Sequence, residues 1–182
     1  MHIYKTNRLD LRRLSVADSS LLLDYRLRTR TFLQEWEPLR NDAFYTEEAA
    51  RMLIEDEEKS FATETGLSLY IFNKGEEKII GCATLSNIVR GVFQSCFLGY
   101  KLDEEEINQG KMTEALQKVI EIAFDEMQLH RIEASILPRN IRSKKVVEKL
   151  GFTQEGLSKA YLKIQGKWED HVHYALLNEK VN

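Results

Sequence analysis

Apolar and polar positions along the 182-residue chain fall into two rhythms. Alternation marks a strand at Arg8–Arg12, and strand-like runs bounded by turn signals mark others at Leu67–Phe72, Lys78–Val89, Phe93–Leu102, Arg131–Leu137, and in a last hairpin of Phe152–Leu162 and Trp168–Leu177. Spacings of three and four mark helices. The first follows Ser15-Val16-Ala17-Asp18, a capping box, with Leu21, Leu22, Tyr25 and Leu27 facing inward. Thr46 caps a second helix from Glu47 to Ala62, with Ala50, Leu53, Ile54 and Phe61 apolar. A third carries Met112, Ala115, Leu116, Val119, Ala123, Phe124 and Met127. A fourth runs from Asn140 to Leu150, with Val146, Val147 and Leu150 apolar, and Gly151 fits a left-handed helix end. Gly81 reads as a bulge, and Asn73-Lys74-Gly75 and Gln165-Gly166-Lys167 as turns. The order is strand, two helices, three strands, helix, strand, helix, two strands. That is an α/β fold on a mixed, mostly antiparallel sheet of about seven strands, in one domain spanning 1–182.

Composition narrows the function classes. Net charge is −3, so no bulk attraction to nucleic acid is expected. No apolar run reaches membrane-spanning length, and the N-terminal residues lack a signal-peptide core, so the expectation is a cytoplasmic protein without a membrane partner. Cys82 and Cys96 sit in apolar runs and read as buried free thiols. His171 and His173 share one strand face with no evident third ligand, so no metal site is expected, and His130 reads as structural. There is no nucleophile elbow, Walker loop or dinucleotide fingerprint.

The stretch that carries chemistry is the strand-to-helix junction around Asp103–Ala115. Gly110 stands where a backbone must come close to something, although it could merely open the helix. The free N–H groups of the helix start, with its dipole, form an anion site suited to a pyrophosphate. A second stretch, Phe32 to Arg40, is rich in aromatic and charged residues. It is either a hydrophobic plug with a solvated rim or one wall of a substrate cleft.

With these elements in place, the chain resembles the Gcn5-related N-acetyltransferase (GNAT) superfamily over about Lys5 to Leu177. Ser86–Phe93, Cys96–Tyr100, Trp36–Arg40, His130-Arg131-Ile132, Pro138, Asn140, Ser143, Leu150-Gly151-Phe152 and Gly166–Val172 are similar to the RimJ/RimL-type ribosomal-protein N-terminal acetyltransferases, especially the RimJ type. The resemblance implies acetyl-CoA as co-substrate. The main chain around Tyr100 to Leu102 would pair with the pantetheine arm. Asn108, Gln109, Gly110, Lys111, Met112 and Thr113 would hold the pyrophosphate, and Asn140 and Ser143 would contact the thiol end. Asn140 could instead be only an N-cap, and Ser143 a solvated helix residue. The cluster Arg139, Arg142, Lys144 and Lys145 is either a solvated face or a seat for the ribose phosphate.

The departures from the family pattern are specific. In its motif of Gln or Arg, two residues, Gly, one residue, Gly or Ala, only Gly110 fits the general form. Ile107 replaces the polar residue, Asn108 the preceding glycine, and Met112 suits the RimJ branch. The usual general-acid Tyr is Val147 here, and the RimL-like carboxylate of the last hairpin is Leu162. Ser143 is therefore the candidate for protonating the leaving thiolate, and Glu37, with Glu35 as a lesser stand-in, the candidate base.

The expected activity is acetyl transfer from acetyl-CoA to a protein α-amino group, by resemblance that of a ribosomal protein. A small amine such as a polyamine, amino acid or antibiotic is the first alternative. A non-catalytic acyl-CoA-binding module is the alternative from another class, motivated by Ile107 and Val147. The exposed edge of the last hairpin offers a route to a homo-oligomer.

Overall fold

A computed structural model describes residues 2–180. The elements are β1 (Ile3–Lys5), β2 (Leu9–Arg12), α1 (Ser19–Leu33), α2 (Glu47–Ala62), β3 (Leu67–Asn73), β4 (Ile79–Val89), β5 (Ser95–Leu102), α3 (Lys111–Glu121), β6 (Arg131–Ile136), α4 (Ile141–Lys149), β7 (Thr153–Ile164) and β8 (Lys167–Leu177). They build one eight-stranded sheet in the order β1-β2-β3-β4-β5-β6-β8-β7. The strand beyond the expected seven is β1. Three residues are too short to show alternation, and only Tyr4 is partly covered.

Every neighbouring pair is antiparallel except β5 with β6, which α3 joins as a crossover. That parallel ladder is short. Only Ser95, Cys96 and Phe97 pair, with Arg131, Ile132 and Glu133. β5 then continues to Leu102 and β6 to Ile136 without pairing to each other. The two strands diverge into a V.

Helices α3 and α4 lie on one face of the sheet. There Ala115, Leu116 and Val119 pack with Leu11, Ile71, Leu85, Leu98 and Ile132. On the other face Leu22, Tyr25, Leu33, Ala50 and Ile54 of α1 and α2 pack with Tyr70, Phe72 and Cys82. The central strand β3 is buried on both faces from Leu67 to Phe72, which is why it reads as a nearly unbroken apolar run. The β7 edge is mostly exposed.

Three local expectations change. The inward stripe of α1 is Leu22, Tyr25, Arg26, Thr29 and Leu33, while Leu27 is exposed. Two polar residues disguise the stripe. Arg26 donates to the Phe44 carbonyl at 2.9 Å and stacks 4.0 Å over the Phe44 ring, and Thr29 donates to the Tyr25 carbonyl at 2.7 Å. The long third helix is α-helical only to Glu121. A π turn, Ile122–Glu126, closes it, with Met127 N–H bonded to the Ile122 carbonyl at 2.9 Å. Gly81 does sit in a bulge, where Ile71 pairs with Gly81 but Phe72 pairs with Ile79. A Cβ there would stand 2.6 Å from the Lys101 carbonyl oxygen, so a side chain would drive β5 away.

Candidate active site

The V between β5 and β6 opens onto a cleft of about 370 Å³, walled by the end of β5, the turn into α3, the start of α4 and the end of α1. Its floor is Tyr100, Lys101 and Leu102. Ile107, Asn108, Gly110, Lys111, Met112 and Thr113 form one side, Asn140 and Ser143 the other, and Phe32, Leu33 and Trp36 the rim. Residues separated by a hundred positions therefore meet in one hollow. Five residues singled out from the sequence do not line it, Gln109, Glu35, Glu37, Arg139 and Lys144.

The turn explains the first of these. After a short 3₁₀ turn, Glu104–Glu106, the chain passes through two left-handed positions, Asn108 at φ 60° and Gly110 at φ 74°. Asn and Gly are the residues that adopt this conformation most readily. The first helical bond of α3 is Glu114 N–H to the Gly110 carbonyl at 3.0 Å. Upstream of it, the N–H groups of Lys111, Met112 and Thr113 are left for a guest. Gln109 builds the turn instead of facing the cleft. Its amide donates to the Glu105 carbonyl at 2.8 Å, and its own carbonyl accepts from Arg8 at 3.0 Å.

Behind the turn, Glu114 accepts from Thr6 Oγ1 at 2.6 Å, from the Arg8 main-chain N–H at 2.8 Å and from Arg8 Nε at 2.7 Å. Partial burial alone would raise this carboxyl, but these donors outweigh it and hold it below its ordinary value. Lys111 donates to Asn73 Oδ1 at 2.7 Å and to the Glu106 carboxylate, so its charge is already matched within the protein. The positive potential left at this bend is therefore that of the main chain and the helix dipole.

On the facing wall, Asn140 Oδ1 accepts the Ser143 N–H at 3.2 Å, which makes it the N-cap of α4 as well as a lining residue. Ser143 Oγ donates to Tyr100 Oη at 2.6 Å, and Tyr100 Oη donates to the Ser143 carbonyl at 2.9 Å. Burial pushes the Tyr100 phenol well above its ordinary range, against a smaller lowering by Ser143. Sequence reading assigned Tyr100 only a main-chain role. Its phenol takes part because β5 and α4 converge, which no local pattern signals. Val147 is fully buried in the core, so nothing polar stands at that position of α4.

The basic cluster divides. Arg142 and Lys145 line the cleft, joined by Lys149 one turn further on, and Arg142 lies 5.4 Å over the Phe32 ring. Arg139 turns away to Glu169 at 3.2 Å and lies 5.7 Å over the Trp36 ring. Glu37 pairs with Lys101 Nζ at 2.6 Å. Burial opposes the Lys101 charge, but the Cys82 sulfur once ionised and the hydrogen-bonded Glu37 carboxylate favour it, and its pKa stands above the ordinary value. The Glu37 carbonyl also accepts from Gln165, so the Trp36–Arg40 loop is fastened to the last hairpin.

Residues 8–153 match the model of the acetyltransferase (GNAT) domain. The chain belongs to the GNAT acetyltransferase family. It is 39% identical over 175 residues to the [ribosomal protein uS5]-alanine N-acetyltransferase of Escherichia coli, covering 94% of this chain and 88% of that one. Its fold superposes on the ribosomal-protein-S5-alanine acetyltransferase of Vibrio fischeri with a TM-score of 0.94 at 34% identity, over 100% of both chains. RimJ of Mycobacterium smegmatis, solved in complex with a CoA disulfide, gives 0.89 at 28% identity over 95% of this chain and 83% of that one. The protein is an N-acetyltransferase of RimJ/RimL type. Among the described residues no helix is long and apolar enough to cross a membrane.

Proposed function

We propose that this N-acetyltransferase moves an acetyl group directly from acetyl-CoA to the α-amino group of a protein N-terminus, a ribosomal protein as for its named relatives. One observation carries the reading. The cleft under α3 and α4 meets the opposite face of the sheet where β5 and β6 part, and there Phe97 and Gly99 are exposed rather than roofed by a helix. Exposed β5 residues beside the opening leave room for the chain that follows a peptide's N-terminus, whereas a small amine suits a closed pocket.

The roles of the residues follow from their chemistry. The N–H groups of Lys111, Met112 and Thr113 bind the diphosphate, with Asn108 and Gly110 shaping their approach. Arg142, Lys145 and Lys149 offer charge for the ribose phosphate. The Tyr100–Leu102 main chain, freed from pairing with β6, aligns the pantetheine arm. The Ser143 and Tyr100 hydroxyls supply the proton to the leaving thiolate, in place of the Tyr absent at Val147. Glu37 acts on the acceptor side, where it holds the Lys101 ammonium. A ribosomal acceptor places the reaction in the cytoplasm.

The test is thiol release from acetyl-CoA with a panel of N-terminal peptides and small amines, alongside mass spectrometry of cellular protein N-termini with and without the gene. Peptide turnover exceeding that of every small amine is expected. Turnover confined to a polyamine, amino acid or antibiotic would replace the acceptor, and coenzyme binding without turnover of any amine would remove the catalytic reading.

A further inference from the structure

We propose that Ser135 and His173 form the proton acceptor for the attacking amine, on the sheet face opposite the coenzyme cleft. The proposal rests on the acetyl-transfer reading above and names the group that reading leaves open.

The register places these residues. Along β6 and β8, Ala134, Ile136, Val172 and Tyr174 belong to the core beneath α3 and α4. Ser135 and His173, at the alternate positions, belong to the other face. They are partners across the β6–β8 ladder. On the far side of the V, Ser68 pairs with Thr84, and Thr84 with Gly99. The last parallel pair is Phe97 with Glu133. Two residues on along each strand, Gly99 and Ser135 face one another across the widening gap. One row of the sheet thus reads Ser68, Thr84, Gly99, the opening, Ser135, His173. A Cβ built at Gly99 would meet nothing within 4 Å, so there is room over the opening for an incoming nitrogen.

The side chains are arranged for proton transfer. Ser135 Oγ lies 3.1 Å from His173 Nδ1. The Tyr161 ring stands edge-on to the imidazole, with centroids 4.7 Å apart. His173 Nε2 is buried and has no hydrogen-bond partner among the described residues. An orphaned buried nitrogen is a cost that a purely structural histidine normally avoids. By contrast, His171 on the same face has its Nδ1 3.0 Å from the Glu169 carbonyl, and burial lowers its pKa.

In the proposed step the Nδ1 lone pair receives the Ser135 hydroxyl proton as Ser135 Oγ takes the proton from the amine nitrogen. That nitrogen forms its bond to the carbonyl carbon of the thioester. The carbon–sulfur bond then breaks, and the sulfur takes its proton from the Ser143–Tyr100 side of the sheet. The imidazolium returns its proton to solvent, and the Ser143–Tyr100 pair regains one from solvent through the cleft. Tyr161 and Glu155 from β7 and His171 from β8 neighbour His173, Arg131 and Glu133 at alternate positions of β6 share its face of the sheet, and Arg139 and Glu169 neighbour His171. Arg131 binds Glu133 at 2.8 Å and Glu155 at 3.0 Å, so these charges are matched largely with one another.

The experiment follows kcat and kcat/KM against pH for the wild type, His173→Gln, Ser135→Ala and Glu37→Gln, using a peptide with a free N-terminal alanine. Coenzyme A binding is measured by calorimetry, and thermal unfolding is followed for each variant. His173→Gln is expected to lower kcat about 100-fold near neutral pH. Its coenzyme affinity should stay within about twofold, and the deficit should shrink as the pH rises and the amine deprotonates unaided. Ser135→Ala is expected to lose about tenfold with the same pH trend, and it carries the test if His173→Gln does not fold. A deficit equal at every pH would mark a structural role and overturn the proposal. Loss of the acidic limb in Glu37→Gln but not in His173→Gln would overturn it in favour of Glu37. If the wild type does not turn over the peptide, it is the acceptor reading that fails, and the same variants are compared on whichever amine of the panel is acetylated.

Discussion

The two sides of the V are built from different materials. On the coenzyme side the decisive groups are main-chain N–H donors set by Asn108 and Gly110, and the charged side chains nearby are spent on one another, Lys111 on Glu106 and Arg8 on Glu114. On the opposite side the decisive groups are side chains, Glu37 with Lys101 and Ser135 with His173, brought together by register. A main-chain site survives much change of side-chain identity. That is how a family motif can degrade to Gly110 alone and still leave the N–H groups of Lys111, Met112 and Thr113 for the proposed diphosphate. A side-chain site has no such tolerance, and it is the place where relatives with one fold can diverge in acceptor.

This contrast can be broken by experiment, starting with the largest effect. Leu116→Ala removes a fully buried side chain of α3 and is expected to cost about 2–5 kcal/mol in denaturant unfolding. Phe97→Ala, whose ring is 36% exposed, should cost about 1–2 kcal/mol, less than Leu116→Ala, and raise KM for the peptide. Equal destabilisation by the two would mean that the open face is part of the core. Gly110→Val forces a β-branched residue into φ 74°, a strain of about 1–3 kcal/mol. Calorimetry should then show acetyl-CoA affinity reduced by about 10- to 100-fold, and unchanged affinity would refute the main-chain grip.

Ser143→Ala should lower kcat about tenfold with KM for acetyl-CoA little changed, and full retention of rate would remove Ser143 from thiolate protonation. Glu37→Gln frees the Lys101 ammonium and should reduce turnover by about threefold, with coenzyme affinity unaltered. The smallest effect concerns pH. The folded Glu114 carboxyl lies below its ordinary value of 4.5, so its lock on Thr6 and Arg8 stabilises the fold above that value and is lost as the pH falls below it. Thermal unfolding of Glu114→Gln should lose the part of the acid dependence that the wild type owes to this residue.

Much of the fold was legible because burial writes a period into the chain. The bounds of α2, Thr46 as its N-cap, the Gly81 bulge and the junction at Gly110 all follow from local rules, and the structure places them as read. Elements without a local signature escaped. β1 is too short to alternate, Arg26 and Thr29 hide the buried stripe of α1 behind polar side chains, and the π turn after Glu121 has no residue that announces it. In the cleft, Tyr100, Asn108, Gly110 and Ser143 were legible by resemblance. The departure of Gln109 into the turn was not, because it depends on Arg8, which reaches across from β2.

The sequence by itself determined which segments become strands and helices, where the chain bends sharply, and that one helix begins at a glycine with donors to spare, because these depend on interactions a few residues apart. Only the tertiary structure decided that Ser143 meets Tyr100, that Glu37 is held by Lys101, and that Ser135 lies beside His173 at the mouth of the V. Those pairings span 38 to 64 positions. They exist because the β5–β6 ladder stops after Phe97 and because β8 pairs with β6 in one register, and both are outcomes of packing the whole sheet.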